Sequence, residues 1–113
     1  MTTSAEPTAK ATSSLVVSTY KVCAWCGKPI VGTAFEKHHW LIKRSHVPRR
    51  RFKAINVLIN VVPLHHICHQ QYGQTKEMYL HCLGLVGTVF GKDAVWEWEE
   101  RFYGKDDQCD AEE

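Results

Sequence analysis

With 113 residues, a formal net charge of +2 and 44% hydrophobic residues, the chain has room for one domain, small enough to gain from a metal, a disulfide or a partner. Five cysteines and an opening Met-Thr-Thr-Ser-Ala-Glu without the charged and apolar regions of a secretion signal argue against a disulfide framework and for a reducing, cytoplasmic setting. No apolar run reaches the roughly 18 residues of a membrane span.

The first 14 residues are small and polar and are expected to form a disordered leader (1–14). The main body, 15–104, opens with Leu15-Val16-Val17 and Tyr20-Lys21-Val22, whose β-rich composition predicts a short strand leading into Cys23. Cys26-Gly27-Lys28-Pro29 has the chemistry of a tight turn, so Cys23 and Cys26 are expected to point at one metal. Phe35 to Ile42 predicts a second strand carrying His38 and His39. Neighbouring strand residues face opposite sides, so either the strand bulges there or the two imidazoles have different tasks.

Residues 37–53 hold seven basic side chains and no acid. Within them Lys43, Arg44, Arg49, Arg50, Arg51 and Lys53 lie on a loop-like arm expected to meet DNA through its phosphates. No base-reading helix or repeat code accompanies the arm, so little sequence preference is expected. Val61-Val62-Pro63-Leu64 predicts a strand ending at His65, and His66 through Tyr72 a helix stopped by Gly73. A helix from about Thr75 carries Met78, Cys82 and Leu85 at helical spacing. The last helix has Asp93 as its expected N-cap and Val95, Trp98 and Phe102 as its inward stripe. Residues 93–113 hold nine of the twelve acids, and 105–113 are expected to be an exposed acidic tail in which Cys109 is a bystander.

Cys23-x2-Cys26 and His65-x2-Cys68 are two half-sites separated by 38 residues. Zinc takes four tetrahedral N/S ligands, and a two-residue spacer lets both members of a pair reach one ion. A structural Zn²⁺ on Cys23, Cys26, His65 and Cys68 is therefore expected, with His66 as the substitute should His65 point elsewhere. A redox pair is the bland alternative, but no thioredoxin-like pattern surrounds the cysteines. Cys82, on an apolar helix face, reads as a small core residue, and His46 and His81 as structural histidines.

His38-His39, then Asn60 after twenty residues, then His69 after eight more, closing in Asn60-Val61-Val62-Pro63-Leu64-His65-x2-Cys68-His69, resembles the HNH endonuclease family in its zinc-stabilised form. The resemblance covers roughly residues 20–75 and departs at His65, where the family usually has cysteine. It implies a small α+β, ββα-metal (treble-clef-like) fold over about 20–75, to which the helices read from residue spacing add an extension over 75–104. It further implies a DNA endonuclease of the small free-standing kind found in phage and mobile elements, leaving 5′-phosphate and 3′-hydroxyl ends. Mapped residue by residue, His39 would be the general base, Asn60 the group that holds the loop and orients the His39 ring, and His38 and His69 the ligands of a catalytic divalent ion. Some relatives, including the colicin nuclease domains, place another ligand histidine four residues further on, where this chain has Gly73. Two protein ligands would favour a water-rich Mg²⁺ or Mn²⁺.

Two choices stay open at this level. Asn56-x8-His65-x3-His69 also fits the colicin-type spacing and would remove His65 from the cysteines, although the Asn60 register uses every donor. A zinc-knuckle DNA-binding module that has lost catalysis is the functional alternative. A phage or host protein partner is left open.

Overall fold

The uninterrupted apolar run Val61–Leu64 forms β2, buried at every position. It pairs antiparallel with β1, Glu36–His39, in the register Glu36↔Leu64, Lys37↔Pro63, His38↔Val62 and His39↔Val61. These strands form a two-stranded sheet in the computed structural model, which describes residues 6–112, with side chains through residue 104. The arm between the strands is not a plain loop. It winds through two 3₁₀ turns, Arg44–His46 and Arg49–Arg51, the short helix α2, Phe52–Ile55, and a third turn, Leu58–Asn60.

The segment expected to be the first strand is instead α1, Ser13–Tyr20. Thr12 caps it, its hydroxyl oxygen accepting from the Leu15 amide at 3.2 Å, and Lys21 closes it with a left-handed φ of 70°. The β-branched residues favour a strand locally, but Val16, Thr19 and Tyr20 are all buried, and their spacing places them on one helical face. Packing against β2 and the core therefore overrides propensity. The Tyr20 hydroxyl donates to the Leu58 carbonyl.

The expected leader is also different over its described part. Lys10 pairs with Val57, the Ala11 amide donates to the Asn56 carbonyl at 2.9 Å, the Leu58 amide donates to the Ala9 carbonyl at 3.0 Å, and Ala11 is buried. Backbone groups at the end of the arm need partners once buried, and residues 7–11 supply them. Residues 1–5 of that expectation, and the side chains of the expected tail including Cys109, lie outside the described residues.

Helix α3, His66–Tyr72, follows β2 directly. Helix α4, Lys76–Phe90, starts at Thr75, whose hydroxyl oxygen accepts from the Met78 amide at 3.2 Å. Its buried stripe is Met78, Cys82 and Val86, one residue beyond the expected Leu85. Gly84 and Gly87 do not end it. The chain breaks at Gly91, at φ 92°, so that α5 begins at Lys92 and Asp93 sits in its first turn. Helix α5, Lys92–Glu112, contributes Val95 to the main core, whereas Phe102 packs with Ile42 and Ile55 in a second cluster. Among the described residues no helix is long and apolar enough to cross a membrane.

Candidate functional site

The Cys23–Cys26 turn is built as its composition suggests. The Cys23 amide donates to the Lys28 carbonyl and the Gly27 amide to the Cys23 carbonyl, both at 2.9 Å. Gly27 takes a φ of 76°, a conformation that costs glycine little. The turn is fixed to the hairpin by the Ala24 amide, which donates to the Pro63 carbonyl at 3.0 Å. Leu64 hands the chain to His65, whose Nδ1 lies 3.3 Å from Cys26 Sγ and whose amide donates to Cys23 Sγ at 3.5 Å.

One donor atom from each of Cys23, Cys26, His65 and Cys68 lies within 4.8 Å of the other three. A tetrahedral ion with Zn–S bonds of 2.3 Å separates its ligands by about 3.8 Å, so the four residues could hold a metal ion such as zinc after a small contraction. The thiols differ in acidity. Burial opposes ionisation of Cys23, but amide hydrogen bonds from Cys26, His65 and Trp25 outweigh it and lower its pKa. Burial, then its neighbours Cys23 and Cys26, pushes Cys68 up to about 12. A divalent ion held by the four residues would favour the thiolate forms. Cys82 is buried in the core and is pushed up to about 12, first by that burial.

The imidazole set comes from β1, which carries His38 and His39, and α3, which carries His69. β1 has no bulge, so Glu36 and His38 share one face and Lys37 and His39 the other. On the first face the His38 and His69 rings meet edge to face, 5.0 Å between centroids. His38 is 6% exposed, and burial, followed by the nearby His69, Lys43 and His39, pushes its pKa down to about 4. A neutral imidazole of this kind keeps the lone pair that a metal needs. Burial, then Arg44 and Lys37, also lowers His39. His38, His39 and His69 all line an open groove of about 600 Å³ with Lys43, Arg44 and Gln74.

Sequence reasoning missed Glu36. Its Oε1 accepts from His69 Nδ1 and its Oε2 from His66 Nδ1, each at 2.6 Å, and these bonds hold its carboxyl below the usual range. With Nδ1 engaged by Glu36, Nε2 is the ring nitrogen whose lone pair is left for a metal. The available signal was positional, an acid two residues before His38 on the same strand face. His66 is thus engaged with Glu36, while His65 stands with the three cysteines.

Asn60 is 0% exposed. Its Oδ1 accepts from the Leu41 and Ile42 amides at 3.1 and 2.8 Å, and its Nδ2 donates to the Ile42 and Ile55 carbonyls at 2.9 Å each. It therefore fastens the chain just beyond His39 to the end of the arm. Asn56, half-buried, lies on a different cavity. At Gly73 an added Cβ would come within 2.9 Å of the His69 ring and 2.5 Å of its carbonyl oxygen. A histidine at position 73 would therefore displace His69.

The arm divides. Lys43 and Arg44 line the groove, Lys43 donating to Gln74 Oε1 at 2.9 Å and Arg44 stacking over the Phe52 ring at 4.6 Å. Arg49, Arg50 and Lys53 are exposed. Arg51 corrects the expected DNA-binding set: it is 8% exposed, lies over the Phe102 ring at 3.9 Å and donates to the Phe102 carbonyl. Its guanidinium joins the arm to α5 and faces inward. Trp25 is held between Tyr72 and His81, each ring 4.4 Å away, giving His81 a packing role.

No family model, curated protein or solved structure matches this chain.

Proposed function

We propose that the chain is a metal-dependent DNA endonuclease of the HNH type, with β1, β2 and α3 as its ββα-metal core and a structural zinc on Cys23, Cys26, His65 and Cys68. The observation that carries this reading is the division of β1: His38 meets His69 on one face, while His39 opens on the other into the same basic groove. Neighbouring imidazoles on opposite faces suit two tasks, ligation and proton transfer.

His38 and His69 would hold a divalent ion such as Mg²⁺ or Mn²⁺, which when bound stabilises negative charge on the leaving 3′ oxygen. Glu36 positions the His69 ring by accepting from Nδ1. Lys43 and Arg44 draw the phosphodiester into the groove and offset its charge. His39 takes the proton of the attacking water through a ring nitrogen. Its lowered pKa keeps it neutral, and so competent as a base, at neutral pH. Asn60 fixes the backbone two and three residues beyond His39. Attack at phosphorus breaks the bond to the 3′ oxygen, which takes a proton from solvent water, and leaves 5′-phosphate and 3′-hydroxyl ends.

The test is incubation of supercoiled plasmid with the protein and Mg²⁺ or Mn²⁺, followed by ligation of the products. Nicked or linear DNA that a ligase reseals without prior phosphorylation supports the reading. Binding without cleavage under every divalent ion would favour the inactive zinc-knuckle module.

A further inference from the structure

The groove does not end at His39. On the far face of β1 it opens into a second cavity of about 400 Å³, walled by Lys10, Lys37, Arg44, Lys53 and Asn56 around His39, with no acid in its lining. Lys37, His39 and Arg44 belong to both spaces. These cations are held from different parts of the chain: Lys10 by backbone pairing with Val57, Lys37 by its Nζ donating to the Ala11 carbonyl at 3.1 Å, and Arg44 by its stack on Phe52. Four cations converging without a carboxylate suit a phosphate, which accepts several charge-assisted hydrogen bonds at once.

We propose that this cavity is a phosphate subsite that seats the strand's backbone phosphate next to the one facing His39, with Lys10 and Lys53 as its defining contacts. Which phosphate it holds rests on the nuclease reading. The cations that share this cavity with His39 are thus not the arginine triplet but Lys37 and Arg44, joined by Lys10 from the N-terminal segment and Lys53 from α2.

The experiment is fluorescence anisotropy of a labelled oligonucleotide with the full-length protein over a salt series, without added divalent ion. Lys10→Gln and Lys53→Gln are each expected to reduce the slope of log affinity against log salt by about 1. Arg101→Gln, on an exposed stretch of α5, is expected to leave it unchanged. Unaltered slopes in both lysine variants overturn the subsite, whether or not plasmid is cut. Reduced slopes in a protein that cuts nothing keep the anion site and remove the nuclease reading. Displacement of the oligonucleotide by inorganic phosphate, beyond the effect of matched ionic strength, would assign the cavity to free phosphate and overturn the strand assignment. A methylphosphonate beside the mapped cut should weaken binding of the wild type more than of the Lys10→Gln/Lys53→Gln double variant. Equal weakening contradicts the neighbouring-phosphate placement.

Discussion

Glu36 Oε1 lies 2.6 Å from His69 Nδ1, and the other oxygen of the same carboxylate holds His66 at the same distance. One strand residue thereby aligns the first turn of α3 with β1, where His38 faces His69. Removing such an outer carboxylate typically lowers metal affinity or activity about 10- to 100-fold. Glu36→Gln is expected to weaken Mn²⁺ binding, measured calorimetrically, within that range while leaving the far-ultraviolet spectrum intact. Unchanged affinity would separate Glu36 from the proposed metal site.

The sulfur cluster should behave as part of the fold. Structural zinc contributes on the order of 10 kcal/mol or more to domains of this kind. Cys68→Ser is expected to lose one tightly held zinc per chain and its cooperative thermal transition. A zinc-free, stably folded variant would show that the cluster has no structural role.

Asn60 and Asn56 should differ sharply. Asn60→Ala removes four buried hydrogen bonds, and unsatisfied buried groups cost about 1–3 kcal/mol each. A loss of about 3 kcal/mol or more in urea unfolding is therefore expected, with little change for Asn56→Ala. Equal effects would argue against Asn60 as the residue that sets the loop.

Acid should destabilise the protein through His38. Its folded pKa of about 4 lies below the ordinary 6.5, so the unfolded chain binds more protons between these values. The stability contributed by neutral His38 is fully present above pH 6.5 and is lost as pH falls toward 4. From pH 7 to pH 5 the loss is about 2 kcal/mol. Urea midpoints of the wild type and His38→Gln check this, since the variant should lose less over that interval. Parallel profiles would contradict it.

Much of the centre was legible because short-range chemistry and burial agree there. Val61–Leu64 is apolar at every position and becomes a strand buried throughout, and the knuckle spacings bring four metal donors together. The outer parts were less legible because long-range contacts decide them. Val16 and Tyr20 look like strand residues until packing selects the helix, and Ala9 to Ala11 look like a leader until the arm's backbone needs partners. Glu36 and Arg51 show the same limit for single side chains. A carboxylate beside a basic run and one arginine of three carry no sign of their partners, which lie 33 and 51 residues away in the chain.

His39 offers the most direct test of the nuclease reading, because that reading makes it the general base. The measurement is conversion of supercoiled plasmid to nicked or linear DNA by wild type and His39→Ala, at equal zinc content and with Mg²⁺ or Mn²⁺. A general base contributes about 10²- to 10⁴-fold to rate. The wild type is expected to cut, and the variant to cut at least 100-fold more slowly while binding the same DNA. Equal cutting by both proteins, or cutting by neither under any divalent ion, would contradict the proposed function.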